Sequence, residues 1–427
     1  MSLRRLLLPS LARRLPATLL ACAALGLAGF ALRGHAEAPP AEPLRLSTQC
    51  PPSFERVADG GCRLRTLYDA YPRTEGHGGV QTALPALRQG FSPQQIDLGR
   101  YLFFDPLLSG DRKSSCAHCH HPDAGLADRK ARGAGFGAEG FGPERHGGVT
   151  LPRRTPTLWN IGFATRLFWD GRADTLEAQA EGPLFAKSEM GNTPEQLLAQ
   201  INGNASYRSL FAQAYGREAS QPVSLAEITG ALTAFQSTLI SLNSRYDRYA
   251  HGERAALSAQ EVRGLNVFRG FVARCSQCHT PPLFTNHQLA VIGSPPVKGL
   301  PMDVGAGAFD PDPRLRGAFK VPTLRNITKT GPPYFHAGQL ASLKEAVEFY
   351  NAPRGHALPR GEQQSIHWHV HMLKAKLDRE DVAAIVAFLG SLEDESLTPV
   401  APAAVPSGLP VVPVRGRGAA RTPAAPS

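Results

Sequence analysis

The chain has 427 residues, enough for two or three domains with a sizeable buried core, and with 42% hydrophobic and 19% charged residues its composition is that of an ordinary globular protein. The formal charge of +10 is basic, but Arg4, Arg5, Arg13, Arg14 and Arg33 precede an expected export cleavage point, and removing those five leaves +5. Arg415, Arg417 and Arg421 sit in the C-terminal tail, so no basic patch interleaved with aromatics remains, and nucleic acid is not the implied partner.

Residues 1–36 read as a signal peptide: a positive start, an apolar run from Leu15 to Leu32, then small residues around Ala36 that suit a signal peptidase. The alternative is an uncleaved anchor, because the run approaches the length that spans a bilayer. Leu19-Leu20-Ala21-Cys22 resembles a lipoprotein box but lies in the middle of the run rather than at its end. Residues 37–88 are rich in Pro and Gly and read as an irregular extension containing Cys50 and Cys62.

Ser92-Pro93-Gln94-Gln95 has Ser at N-cap, Pro at N1 and Gln at N3, and predicts a helix carrying Ile96, Leu98 and Leu102. That helix leads into Cys116-Ala117-His118-Cys119-His120. Cys-x-x-Cys-His is the c-type haem attachment pattern. Two cysteines three apart on one turn reach both vinyl groups of one porphyrin, and the next residue offers its imidazole to the iron. The pattern returns at Cys275-Ser276-Gln277-Cys278-His279, which makes a zinc knuckle or a redox dithiol a poor rival. The expectation is two covalent c-type haems, with His120 and His279 as iron ligands. Of the seven cysteines, four are then used and Cys22 falls in the signal. Cys50 and Cys62 are expected to form a disulfide in an oxidising compartment.

A Gly-rich loop, residues 124–148, follows His120 and must run close to the first haem. Further caps predict helices at Thr193 with Gln196, Ser224 with Glu227, Ser258 with Glu261, Ser342 with Glu345, and Asp378 with Asp381. Ile228, Ala231, Leu232, Phe235 and Leu239 recur at helical spacing as a core-facing stripe. The pattern breaks at Arg245-Tyr246-Asp247-Arg248, which divides an N-terminal domain, 89–245, from a C-terminal domain, 246–397. Residues 398–427 have no periodicity and are expected to be a disordered Pro/Ala-rich tail. His367, His369 and His371 would share one face of an extended segment and could bind a metal, but without an acidic or cysteine ligand nearby they read as surface histidines.

The two haem motifs, about 160 residues apart, stand among six further motifs in matching order: Arg153-Arg154-Thr155-Pro156-Thr157, Phe168-Trp169-Asp170-Gly171-Arg172-Ala173, Leu176-Glu177-Ala178-Gln179-Ala180, Ser188-Glu189-Met190-Gly191, Val321-Pro322-Thr323-Leu324-Arg325-Asn326 and Tyr334-Phe335-His336. Together they resemble the bacterial di-haem cytochrome c peroxidase and MauG superfamily over about Phe91 to Leu392. The resemblance implies a mainly α protein of two cytochrome c-like domains, each with one covalent c-type haem. It implies that the first haem is the peroxide site, with Glu189 and Gln179 above it and Trp169 between the two haems. His146, seven residues before Arg153, matches a removable distal ligand of the first iron. Tyr350 stands where ordinary family peroxidases place a methionine ligand and MauG-type members a tyrosine, so it is expected to ligate the second iron with His279. The helix capped by Ser342 puts Ala346, Val347 and Tyr350 on one face. An interdomain calcium is left open, because Arg154 stands where the family has an asparagine and Thr330-Gly331-Pro332-Pro333 carries one extra residue.

The function implied is a periplasmic peroxidase that reduces hydrogen peroxide, with electrons passed from the C-terminal to the N-terminal haem. Its donor would be a small periplasmic cytochrome c or cupredoxin; a homodimer stays open. The alternative, toward which Tyr350 leans, is a MauG-like enzyme that oxidises aromatic side chains of a partner protein. A plain di-haem electron carrier is a third reading, opposed by Glu189, since a carrier needs no acid–base group over an open iron.

Overall fold

Ser92 caps the first helix as its sequence predicts: its Oγ accepts from Gln95 N at 3.2 Å, and Gln95 Oε1 accepts from Ser92 N at 3.0 Å. The computed structural model describes residues 44–70, 83–394 and 396–415, so the expected signal peptide and the last twelve residues lie outside the described residues. The helices in chain order are α1 (Pro93–Phe104), α2 (Cys116–Cys119), α3 (Leu176–Phe185), α4 (Pro194–Gly203), α5 (Ala205–Tyr215), α6 (Leu225–Gln236), α7 (Arg245–Ala250), α8 (Ala259–Arg269), α9 (Ile327–Thr330), α10 (Leu343–Glu348), α11 (Arg360–Gln363) and α12 (Arg379–Gly390). Thr193, Ser224, Ser258, Ser342 and Asp378 cap α4, α6, α8, α10 and α12 through their side chains, each relieving unpaired N–H groups of a first turn. Among the described residues, strand structure is confined to three antiparallel pairs: β1 (Phe54–Arg56) with β2 (Cys62–Leu64), β3 (Ala138–Glu139) with β4 (His146–Gly147), and β5 (Leu289–Val291) with β6 (Ala318–Lys320).

Two helix crossings organise the interior. In the first, α1 meets α6 at Gly99, where a Cβ would overlap the Ala231 carbonyl oxygen. In the second, α8 meets α12 at Gly264, where a Cβ would overlap the Ala384 carbonyl oxygen. Only glycine lets the backbones come so close. Leu98, Leu102, Phe103, Leu232 and Phe235 pack around the first crossing; Tyr246, Leu265, Phe268, Ile385 and Phe388 pack around the second. Each crossing begins with the helix that runs into one Cys-x-x-Cys-His motif, so the same packing device supports both.

Cys50 and Cys62 are joined in a disulfide across the β1–β2 hairpin. The extension that holds them reaches the second core, where the Tyr68 hydroxyl donates to Asp247 Oδ1. Asp247 also receives two hydrogen bonds from Arg325, at 2.6 and 2.7 Å, and neither side chain is exposed.

The expected disordered tail is corrected over residues 398–415. Val405 and Val412 are each only 3% exposed and belong to the first apolar cluster. Ser407 Oγ donates to Asp105 Oδ1 at 2.6 Å, Asn204 Nδ2 donates to Pro406 O at 3.0 Å, and Arg415 N donates to Asp123 Oδ2 at 2.8 Å. The segment is ordered by such lateral contacts, which need no periodicity of its own. Among the described residues no helix is long and apolar enough to cross a membrane.

Candidate active site

One cavity of about 440 Å³ runs between the two cores. Its lining brings together Cys119, His120, Trp169, Gln179 and Glu189 from the first part of the chain and Cys275, Cys278, His279 and Tyr350 from the second. Cys116 begins the single turn of α2, at whose end stands Cys119, and packs against the first core. The four cysteines are unpaired with one another. Burial pushes the thiol of Cys116 up to about 12, that of Cys119 to about 11 and that of Cys275 to about 12, and raises that of Cys278. A reactive dithiol has the opposite tuning, a lowered pKa, so these pairs are not arranged for thiol–disulfide exchange.

The two histidines are prepared in the same way. His120 Nδ1 lies 3.1 Å from Leu126 O, and His279 Nδ1 lies 3.1 Å from Pro322 O and 3.2 Å from Phe284 O. A carbonyl oxygen can only accept, so each Nδ1 carries the proton and each Nε2 keeps its lone pair for a metal. Burial lowers both imidazoles to about 4, with the backbone carbonyls opposing, which keeps them neutral. His118 is not a rival ligand. Its Nδ1 accepts from Ser115 N at 2.9 Å and serves the cap of α2. The donor set, the tautomers and the cavity between them fit two c-type haems.

The same lining carries Glu189, which follows α3, and Gln179, within α3. Burial raises the Glu189 carboxyl above the usual carboxylate range, and the charge of Arg172 opposes that shift. Trp169 is locked at both ends: its Nε1 donates to Arg154 O at 3.0 Å, and its carbonyl accepts from Lys320 N at 2.7 Å. The His336 ring lies 6.4 Å from the indole and is itself stacked on Phe319 at 3.9 Å. Tyr350 lies in a 3-10 turn after α10; burial carries its hydroxyl well above the ordinary tyrosine range. The loop behind it is fixed where Ala375 N donates to Tyr350 O at 2.9 Å.

His146 is not brought to the cavity. It is exposed on β4, with Nδ1 2.9 Å from Glu144 O, and it is not part of the lining. The reason lies one residue earlier. Arg145 is 1% exposed and donates to Ala134 O at 2.7 Å, Gly135 O at 3.2 Å and Ser114 Oγ at 2.9 Å, tying the Gly-rich loop together and sending the next side chain outward. Arg154 donates to Pro333 O and Thr330 O, so carbonyl oxygens of the run the resemblance offers to calcium already serve a guanidinium. His369 and His371 line the cavity with rings 5.4 Å apart, while His367 does not join them, and among the described residues no three His, Cys, Asp or Glu side chains form a metal cluster. Residues not anticipated from the sequence also line it, among them His287, Lys320 and Met372.

The chain is similar to known di-haem proteins. The family model for di-haem cytochrome c peroxidase matches residues 93–255. The methylamine utilization protein MauG of Methylorubrum extorquens is 36% identical over 306 residues, covering 71% of this chain and 79% of that protein. The cytochrome c551 peroxidase of Pseudomonas aeruginosa is 33% identical over 304 residues, covering 70% of this chain and 84% of that protein. Among solved structures, a MauG-like protein associated with microbial copper homeostasis superposes with a TM-score of 0.62 at 31% identity, covering 72% of this chain and 92% of that one.

Proposed function

The chain belongs to the di-haem cytochrome c peroxidase and MauG family, an oxidoreductase family with two c-type haems, and from that premise we propose that it is a periplasmic enzyme that reduces hydrogen peroxide. One peroxide, two electrons and two protons give two waters. The haems supply the iron chemistry and the electron path, His120 and the Cys116–Cys119 pair holding one and His279, Tyr350 and the Cys275–Cys278 pair holding the other.

The observation that carries this reading is Glu189, a desolvated carboxyl in the same cavity as His120. Cleaving the O–O bond needs a proton taken from one oxygen and given to the other, which leaves as water. A carboxyl whose pKa is raised by burial does both jobs better than one in water. Gln179 can donate and accept beside it without competing for that proton. Trp169, held at Nε1 and at its carbonyl, supplies a fixed aromatic ring between the two cores. The electron donor is a small periplasmic cytochrome c or cupredoxin.

Tyr350 favours a second reading, a MauG-like enzyme that oxidises aromatic side chains of a partner protein, because a buried phenol lines the cavity with His279, Cys275 and Cys278. Steady-state turnover of peroxide with reduced cytochrome c tests the first reading. Peroxide-dependent modification of a co-expressed neighbour, with no turnover of reduced cytochrome or cupredoxin, would replace it with the second.

A further inference from the structure

The cavity lining is unbalanced in charge. Arg153, Arg154, Arg172, Arg274 and Lys320 face it, against the single carboxyl of Glu189. Four of the five cations have work elsewhere: Arg153 with Asp303 and Asp170, Arg172 with Asp170, Arg154 with the Thr330 and Pro333 carbonyls, and Arg274 with the Phe271 carbonyl. Lys320 does not. No hydrogen bond or ion pair engages its Nζ among the described residues, and burial lowers its ammonium to about 8.

Close by is a second side chain in the same condition. Both ring nitrogens of His287 are buried and have no hydrogen-bond partner among the described residues. The β5–β6 register places Lys320 opposite Leu289, two residues from His287. Val321 N donates to Gln288 O at 2.9 Å, and His287 N donates to Thr285 Oγ1 at 3.0 Å, which in turn donates to Val321 O at 2.6 Å. The two segments are thereby fixed to each other. Lys320 N in turn donates to Trp169 O at 2.7 Å, which ties this strand to the Trp169 backbone, and Lys320, His287 and Trp169 all line the one cavity.

An unsatisfied buried donor costs on the order of 1–3 kcal/mol, and an unpaired buried ammonium costs more. Folded proteins retain such groups in a cavity when a ligand, an ion or water satisfies them, and a buried ammonium is best satisfied by an anion. Every haem carries two propionate carboxylates, and this family binds two haems. We propose that Lys320 and His287 receive a haem propionate beside Trp169, Lys320 Nζ by ion pairing and the His287 ring by donating a hydrogen bond. The inference rests on the two-haem assignment and not on the choice between peroxide reduction and partner oxidation.

The test is spectroelectrochemical titration of the two-haem protein in the absence of peroxide. A cation beside a propionate disfavours the ferric state, so Lys320→Met should lower the midpoint potential of one haem while both haems stay covalently bound. Lys320→Arg should restore it, and His287→Phe should lower the same potential by a smaller amount. Redox-difference infrared spectra with the propionate carboxyls isotopically labelled should show a shifted carboxylate band in Lys320→Met and an unshifted one in Lys320→Arg. Unchanged potentials and bands in Lys320→Met overturn the proposal. Should that variant fail to retain haem, Lys320→Gln and His287→Phe carry the same measurement, and unchanged potentials in both overturn it equally.

Discussion

Arg153 grips Asp303 with two nitrogens, Nε at 2.7 Å and Nη2 at 2.8 Å, and turns Nη1 to Asp170 at 2.6 Å. A planar fork of this kind fixes direction as well as distance. Asp170 is the residue after Trp169 and Asp303 belongs to the later part of the chain, so one guanidinium ties the two together at the indole. Asp303→Asn removes the charge from a half-buried pair and should lower the denaturant midpoint, at a cost of about 2 kcal/mol. Burial alone would raise the Asp303 carboxyl, but Arg153 outweighs it and holds it below the usual range. The stabilisation is therefore complete above the unfolded-state pKa of about 3.9 and is lost as pH falls through the lower folded value. Wild type should lose this increment below about pH 4, and Asp303→Asn should lack that part of the acid response.

Glu189 must begin ionised if it takes a proton from peroxide. Its carboxyl is raised by burial, so the acid limb of kcat/KM should lie above the ordinary glutamate value of about 4.3. Glu189→Gln should erase that limb and slow peroxide turnover by about 10²- to 10⁴-fold, with both haem spectra intact. Arg172→Gln removes the charge that opposes the shift, so the limb should move to higher pH. A stopped-flow pH profile of the three proteins checks both statements.

A thioether favours ferrous iron and raises a haem potential, whereas a phenolate is hard and anionic. Tyr350→Met should therefore raise the potential of the haem held by His279 and leave the other close to its original value. Redox titration resolves the two. An unchanged pair of potentials would remove Tyr350 from the iron.

His146 points away from the cavity, so the ferric iron held by His120 should be open without prior reduction. Electron paramagnetic resonance of the ferric protein should show a high-spin signal. His146→Ala should leave that signal and the peroxide rate unchanged. Two low-spin signals, with activity only after one-electron reduction, would require the loop to place His146 differently.

Pyridine haemochrome analysis should give two haems per chain, none released by denaturation. Replacing Cys275 and Cys278 together by Ala should leave one, still bound at Cys116 and Cys119, because each motif stands on its own helix crossing.

Much of the helical framework was legible because capping is local: Ser92 with Gln95, Ser224 with Glu227 and Ser258 with Glu261 act within one turn. The two Cys-x-x-Cys-His motifs were legible for the same reason, each lying within a few consecutive residues. Spacing alone does not place His146, since the register of seven residues before Arg153 holds while buried Arg145 ties the loop so that the next side chain is exposed. No short-range signal distinguishes Arg145 from a solvated arginine. Lys320 and His287 are equally silent in sequence, because what marks them is the missing partner, and that is known only once the surrounding chain is in place. The tail was misread because Val405 and Val412 are buried singly, at a spacing that matches neither helix nor strand.

That tail sets an order on biogenesis. The first core, which opens with Leu46, is finished only by Val405 and Val412, and Asp105 waits for Ser407. His121, the residue directly after the iron ligand His120, has its ring 3.1 Å from Pro413 O, more than two hundred residues later. A chain emerging from its N-terminus therefore presents the first haem motif long before the strap that closes over it. Covalent attachment at Cys116 and Cys119 can proceed while that side is still open, and the arrival of residues 405–413 then shuts it. A fragment ending at 397 would keep both motifs and still expose an apolar groove along the first core.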